Sequence, residues 1–297
     1  MLQQAAADAA GDQHYPAGAL YVVATPIGNR ADLTLRAIHV LALVDAIACE
    51  DTRHSAPLLR QIGIADKALI AVHRHNEREA AVPVLQRLAA GQRVAYVSDA
   101  GTPAVSDPGA ALVAAAQAAG YRTIPIPGPS SALAALSVAG DASGSGFVFI
   151  GFLPTRGGER SQALTGLATN PATLVLFEAP HRIGPLIGDL AVRCDARTVT
   201  LCRELTKQFE TVVTLPAAQL PGWLEADPNR ARGEFVLVIH ALPALPANPE
   251  SPAHDAALRT LLAVLPLKQA VALTAELTGA PRNALYQRAL ALKDGSA

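Results

Sequence analysis

Three cysteines in 297 residues, with no CxxC pair among them, leave this chain without the makings of a disulfide framework or a cysteine zinc site. Cys49, Cys194 and Cys202 are widely spaced and odd in number, which fits a reducing cytoplasm. Aromatic residues are scarce too, with one Trp and five Tyr, so any contact with nucleic acid would have to lean on shape and ribose rather than base stacking. Charged residues make up only 16% and balance to a formal net charge of -1. That excludes a strongly basic protein coating nucleic acid by bulk electrostatics. No run of about 18 or more apolar residues free of Pro, Gly or charge occurs, so no membrane span is expected. Residues 1–18 carry Asp8 and Asp12 but no basic n-region, and no secretion signal is expected. Missing as well is GxGxxG at the first strand-to-helix turn, where Ala24-Thr25-Pro26-Ile27-Gly28-Asn29 stands instead. One glycine and a proline cannot present the run of free N–H groups that wraps a pyrophosphate, which disfavours NAD, FAD and P-loop nucleotides.

What is present is a chain that is 51% hydrophobic, long enough to bury a sizeable core and to divide into two domains. Residues 1–18 read as a disordered tail and residues 19–141 as an α/β domain with a parallel sheet. Five strand–helix units recur there, with strands over 20–24, 46–50, 68–73, 93–98 and 122–127. Asp32 is placed to cap the helix after the first strand, Asn76 with Glu79 to cap the helix after the third, and Asp107 with Pro108 to open the helix from Ala110. A Gly/Ser-rich hinge over 141–146 leads to a second domain, residues 146–242, whose strands over 147–152, 172–179, 198–204, 209–215 and 234–240 imply a mixed sheet. The Pro-rich stretch 242–252 reads as a linker, and residues 253–297 as a helical C-terminal extension.

The segment Val94–Gly109 carries the most information. A buried strand runs into Ser98-Asp99-Ala100-Gly101-Thr102-Pro103 and on to Ser106-Asp107-Pro108-Gly109. Helix capping accounts for Asp107 but not for Asp99, and a carboxylate at the carboxyl end of a parallel strand lies where open α/β sheets bind ligands. Loops rich in carbonyls and carboxylates suit a cationic or neutral ligand, for which the sulfonium of S-adenosylmethionine is the common candidate.

Taken in order, Ala24-Thr25-Pro26-Ile27-Gly28-Asn29, Glu50-Asp51-Thr52-Arg53-His54, Ser98-Asp99-Ala100-Gly101-Thr102-Pro103 and Pro127-Gly128-Pro129-Ser130-Ser131 resemble the tetrapyrrole-methylase superfamily. Within it, Phe152-Leu153-Pro154, Phe177-Glu178-Ala179-Pro180-His181-Arg182, Arg203-Glu204-Leu205-Thr206-Lys207, Gly233-Glu234 and Asn283-Ala284-Leu285-Tyr286 are similar to the RsmI-type ribosomal RNA small-subunit methyltransferases. The resemblance implies a homodimer whose cofactor, S-adenosylmethionine, binds in a cleft between two domains without a metal. It implies methylation of the ribose 2′-oxygen of a cytidine in the decoding region of 16S ribosomal RNA, with no DNA or membrane partner. Carried onto this chain, the cofactor would touch Pro26, Asp99, Ala100, Gly101, Val105, Ser130, Ser131 and Ala132, and from the second domain Phe152, Leu153, Arg203 and Gly233. The first loop departs from the more glycine-rich one of tetrapyrrole members, which argues against a corrin or porphyrin substrate.

Methyl transfer from a sulfonium is an in-line displacement, so placement supplies much of the rate. A ribose hydroxyl is nearly all protonated at neutral pH, so a base or a cation at the emerging alkoxide would be worth roughly 100- to 10,000-fold. Asp51, Arg53 and His54 leave the end of the second strand and are the catalytic candidates, Asp51 orienting Arg53 or His54 toward the ribose or its phosphate. Asp51 and Thr52 serve equally as helix caps. Glu178, Arg182, Arg203, Glu204, Lys207 and Glu210 read either as an ion-pair network or as groups flanking the cleft. His73-Arg74-His75 with Arg78 reads as a phosphate strip or a solvated turn. In the tail, Lys268, Arg282, Arg288 and Lys293 surround helices broken at Gly279-Ala280-Pro281, as a helix-turn-helix-like RNA grip or a packed cap would require, with Ala270, Leu273, Leu277, Leu285 and Leu290 inside. A tetrapyrrole C-methyltransferase and a cofactor-binding module without activity stand as the alternatives.

Overall fold

The computed structural model describes residues 1–155, 157–195, 197–242 and 252–293. Among the described residues ten strands form two sheets: β1 (Ala19–Val23), β2 (Ala46–Cys49), β3 (Ala68–Ala71), β4 (Val94–Val97), β5 (Arg122–Ile126), β6 (Phe147–Phe152), β7 (Thr173–Glu178), β8 (Thr198–Arg203), β9 (Thr211–Pro216) and β10 (Phe235–Ile239). The helices are α1 (Leu2–Ala10), α2 (Leu35–Leu43), α3 (Thr52–Gln61), α4 (Glu77–Ala89), α5 (Ala110–Ala118), α6 (Ser131–Ala139), α7 (Gly157–Thr169), α8 (Pro180–Arg193), α9 (Leu220–Glu225), α10 (Pro252–Leu262), α11 (Leu267–Thr278) and α12 (Arg282–Lys293).

The first sheet is all parallel in the order β3-β2-β4-β1-β5. Every residue of β2 and β4 is buried, as a strand covered on both faces demands. One face packs α2 through Ala37, Ile38 and Leu41 and α3 through Leu59; the other packs α4 through Val84 and Leu88 and α5 through Leu112 and Ala116. The second sheet runs β6-β7-β10-β8-β9, parallel between β6 and β7 and antiparallel elsewhere. Its faces are covered by α7 and α8 on one side and, on the other, by α6, whose Ala132, Ala135 and Ala139 meet Val175, Cys202, Val236 and Val238. All three cysteines are buried and unpaired, and burial raises each thiol, Cys202 to about 12.

Several expectations need correction. Residues 1–18 are not a disordered tail: α1 packs on α2 with Ala6 fully buried, Gln3 Nε2 donates to the Gly63 carbonyl at 2.8 Å, and the Tyr15 hydroxyl donates to the Ala10 carbonyl at 2.9 Å. The residues that α1 buries are the alanines Ala6 and Ala10, whose small apolar area gives little sign in the sequence of a helix packed on the core. Thr34, not Asp32, caps α2. Asn76 makes no capping bond but closes its own turn on His73 N and the Ala71 carbonyl. α5 begins at Ala110, and its first N–H groups are satisfied from another helix: Glu77 Oε2 accepts from Gly109 N and Ala111 N, each at 3.1 Å. Asp107 is thereby released from capping.

Residues 252–293 form a separate unit of three helices around Leu258, Val271, Leu285 and Ala289. The turn between α11 and α12 passes through Gly279 in the left-handed region, and Arg288 grips Asp255 with two bonds of 2.6 and 2.8 Å. Ala270 and Leu285 are buried as expected, but Leu273 and Leu277 stay exposed. Most of the Pro-rich stretch, residues 243–251, lies outside the described residues.

Candidate active site

Parallel strands deliver their connecting loops to one edge, and here the loops after β1, β2, β4 and β5 meet at the carboxyl end of the first sheet. A two-way bridge, Thr25 N to Gly101 O at 2.9 Å and Gly101 N to Thr25 O at 3.0 Å, ties the first loop to the acidic one. Gly101 adopts φ +80°, which a β-branched residue could not hold without strain. Thr102 Oγ1 donates to the Pro129 carbonyl at 3.1 Å, adding the loop before α6. The loop after β2 joins through Asp51 N, which donates to Asp99 Oδ1 at 3.2 Å, while Asp99 N reaches Glu50 Oε2 at 3.4 Å. Asp99 is thus a hub of two loops.

Two cavities adjoin this edge. The first, of about 290 Å³, is mainly apolar and lies between Ile27, Ala100 and Ser131 on one side and Phe152, Phe177–Pro180, Leu205 and Glu234–Val236 on the other. The second, of about 460 Å³, is lined by Pro26, Gly28, Arg30, Arg53, His54, Asp99 and Lys207 among others. Ile27, Ala100 and Glu234 belong to both.

The catalytic candidates are partly united. Arg53 and His54 line the charged cavity, whereas Asp51 stands behind them at the start of α3. Asp51 accepts Arg53 N at 2.8 Å and holds the guanidinium at two points, so it caps the helix and orients the arginine at once. Those bonds pull the Asp51 carboxyl down to about 2. Arg53 itself is 89% exposed.

Of the residues suggested for cofactor contact, Ala100, Ser131 and Phe152 line the apolar cavity and Pro26 and Asp99 the charged one. Gly101 acts through its backbone bridge. Ser130 holds the N-cap position of α6 without a side-chain capping bond. Val105, Ala132, Leu153, Arg203 and Gly233 line neither cavity. Ala132 and Leu153 face cores. Arg203 spends its guanidinium on the carbonyls of Arg232 and Phe209 at 2.6 and 3.0 Å. Gly233 gives way to Glu204, whose Cγ would lie 2.5 Å from any added Cβ.

Sequence reasoning missed Phe235 and Val236 in the apolar wall and Arg30 in the charged one, and it met Phe177 and Leu205 only inside motifs and Glu178 and Lys207 only among the charges read as an ion-pair network or as flanking the cleft. The register of β7 on β10 brings four of the wall residues together at the strand ends: Phe235 opposes Glu178 and Val236 opposes Phe177. Glu178 has a fully buried side chain, pairs with Arg182 at 3.0 Å and accepts Ala179 N, while its Oε2 has no hydrogen-bond partner among the described residues. Arg182 in turn donates to the Leu153 carbonyl at 2.7 Å, fastening the ends of β6 and β7 together.

Comparison with known proteins places this geometry. Residues 19–221 match the family described as Tetrapyrrole (Corrin/Porphyrin) Methylases, and residues 248–293 match the RsmI C-terminal HTH domain. The chain is similar to the Ribosomal RNA small subunit methyltransferase I of Escherichia coli O157:H7, 47% identical over 277 residues that span 92% of this chain and 95% of that protein. It is similar also to the Haemophilus influenzae protein of that name, at 45% identity over 92% of this chain and 97% of the relative. In solved structures the same fold recurs in the Thermus thermophilus uroporphyrin-III C-methyl transferase complexed with S-adenyl homocysteine, with a TM-score of 0.53 at 20% identity over 74% of this chain and 96% of that one. It recurs as well in diphthine synthase, with a TM-score of 0.59 at 17% identity over 75% and 89%. Through its matched residues and through relatives that it covers almost end to end, the chain belongs to the tetrapyrrole (corrin/porphyrin) methylase family, in its ribosomal RNA small subunit methyltransferase I branch.

Proposed function

We propose that this protein transfers a methyl group from S-adenosylmethionine to the ribose 2′-oxygen of a cytidine in the decoding region of small-subunit ribosomal RNA, acting as a homodimer in the cytoplasm. The observation that carries the reading is the adjoining pair of cavities, one apolar and one rimmed by Arg30, Arg53, His54 and Lys207, sharing a wall at Ile27, Ala100 and Glu234. The apolar cavity fits an adenosine, and the carboxylates of Asp99 and Glu234 beside it fit a sulfonium rather than a polyphosphate. When bound, the cofactor supplies an electrophilic methyl group. This chain's residues do the rest. Ile27, Phe152 and Phe177 exclude water from the apolar side, and the Asp99-Ala100-Gly101 turn fixes the junction. Arg30 and Arg53 offer phosphate oxygens the charge-assisted donors that hold an RNA strand in register. The names of the nearly full-length relatives support ribosomal RNA as the acceptor.

Exposed apolar side chains on α6 and on the edge strand β6 support the homodimer. Leu133 and Val138 of α6 and Phe147, Val148 and Ile150 of the edge strand β6 are all at least 36% exposed, more than scattered surface leucines explain. Light scattering at micromolar concentration would return twice the mass of the chain; a monomer would count against it. The reaction itself is tested by incubating labelled S-adenosylmethionine with small subunits from cells lacking the protein, then digesting the RNA and weighing the labelled nucleoside. A 2′-O-methylated cytidine is expected, and label in no RNA nucleoside would overturn the reading.

A further inference from the structure

Glu234 is the one polar side chain among the residues shared by the two cavities, and its Oε2 accepts Lys207 Nζ at 2.9 Å. The same ammonium donates to Glu204 Oε1, also at 2.9 Å, so two of its three N–H donors are spent on carboxylates and one is left. Lys207 lines the charged cavity together with Asp99 and Ala100, and its side chain is only 29% exposed.

Several features converge on its position. Glu204 and Thr206, neither of them glycine, take φ of +52° and +67°, bending the loop after β8 so that Lys207 turns back over the strand ends. Glu204 Oε1 also accepts Glu234 N at 2.9 Å, locking the acidic partner to the end of β10. From the first sheet, Gly28 comes so close that any Cβ would collide with Lys207 Cγ, and Asn29 N donates to Thr206 Oγ1 at 3.1 Å. The lysine is therefore held from both sides, its ammonium by Glu204 and Glu234 at the strand ends of the second sheet and its stem against Gly28 from the first, beside the Glu234 that the two cavities share. Arg53 is paired as well, with Asp51, but its side chain is 89% exposed.

Building on the proposed function, we infer that Lys207 is a catalytic residue of the methyl transfer, donating its remaining N–H to the ribose 2′-oxygen, with Glu234 as the proton acceptor. A C–O bond forms at the 2′-oxygen as the S–C bond breaks, the electron pair of that bond staying on sulfur. The hydroxyl proton passes to the Glu234 carboxylate, which is 79% exposed and hands it to solvent. The fixed ammonium orients the nucleophile and stabilises negative charge as it develops on oxygen.

The test uses the full chain with Lys207→Met, Lys207→Arg and Glu234→Gln. It reads S-adenosylhomocysteine affinity by calorimetry alongside single-turnover methylation of small subunits across pH. Lys207→Met should bind S-adenosylhomocysteine within about 3-fold of wild type yet methylate roughly 1,000-fold more slowly, the loss expected when a donor aimed at developing charge is removed. Lys207→Arg should recover part of that rate, and Glu234→Gln should slow the reaction while flattening the acid limb of its pH profile. A Lys207→Met rate within about 5-fold of wild type would overturn the inference, as would cofactor affinity falling in step with rate, which marks a structural role. A wild-type protein that labels no RNA would instead fail the reading on which the inference rests.

Discussion

The apolar and charged cavities share three residues and are built by opposite means. The first is walled by strand ends, and the ladder register that sets Phe235 against Glu178 and Val236 against Phe177 fixes its far side. The second is walled by loops and a helix start whose polar side chains hold one another: Asp51 with Arg53, Asp99 with Asp51 N, and Lys207 with Glu204 and Glu234. A wall of paired strands cannot adjust without breaking many bonds, which suits a ligand identical at every turnover. A rim of exposed side chains can adjust one residue at a time, which suits a large substrate that must arrive and leave. The difference teaches that affinity for the small ligand and rate with the large one should be separable by mutation.

The largest expected effect comes from breaking what both cavities need. Gly101→Val puts a β-branched residue at φ +80° and strains the bridge to Thr25 beneath the shared wall. The expected cost is about 3 kcal/mol of stability, read by denaturant unfolding, together with loss of S-adenosylhomocysteine binding. A variant that unfolds and binds like wild type would show that the two cavities do not depend on a common loop junction.

Asp99→Ala should divide the cavities less violently. It removes the acceptor of Asp51 N and the carboxylate at the junction, and cofactor affinity should drop about 100-fold by calorimetry, as the loss of a charged hydrogen bond predicts. Arg53→Ala is its counterpart on the exposed rim. Cofactor affinity should hold within about 2-fold while RNA methylation slows about 10-fold at low salt, with the gap narrowing as salt rises, the mark of a phosphate contact. Equal loss of cofactor binding in both variants would erase the distinction between the cavities.

Sequence made the strands legible because each is a short apolar run closed by Gly, Pro or a capping residue, and all ten lie within about two residues of their expected places. It made Asp99-Ala100-Gly101 legible because a carboxylate and a glycine at a strand end have few other uses. The walls of the cavities were harder, since they depend on which face of an element turns inward. Phe152 and Leu153 are neighbours, yet Phe152 lines the apolar cavity and Leu153 sits 2% exposed in the core, as alternation along a strand requires. Lys207 was visible only as one charge among six. Its place beside Gly28 is set by two loops far apart in the chain, and no local pattern encodes that meeting. The borrowed capping of α5 by Glu77 was hidden for the same reason, because a local rule assigned the task to Asp107.

The smallest effect asks whether the acidity of the loop under the charged cavity serves stability or the site. Burial, and then the charge of Glu50, push the Asp107 carboxyl up from 3.8 to about 6. A carboxyl raised on folding disfavours its own ionised form in the folded protein, so its contribution is intact below the ordinary pKa and is lost as pH rises through about 6. Asp107→Asn cannot ionise and keeps an oxygen for the Ser98 hydroxyl, so it should melt about 3 °C higher than wild type at pH 8, with the two curves converging below about pH 4. Thermal melts across that range decide the matter. If the variant gains stability without changing S-adenosylhomocysteine affinity, the buried charge of Asp107 is a cost borne apart from Asp99; if affinity falls as stability rises, the two carboxylates act on the site together.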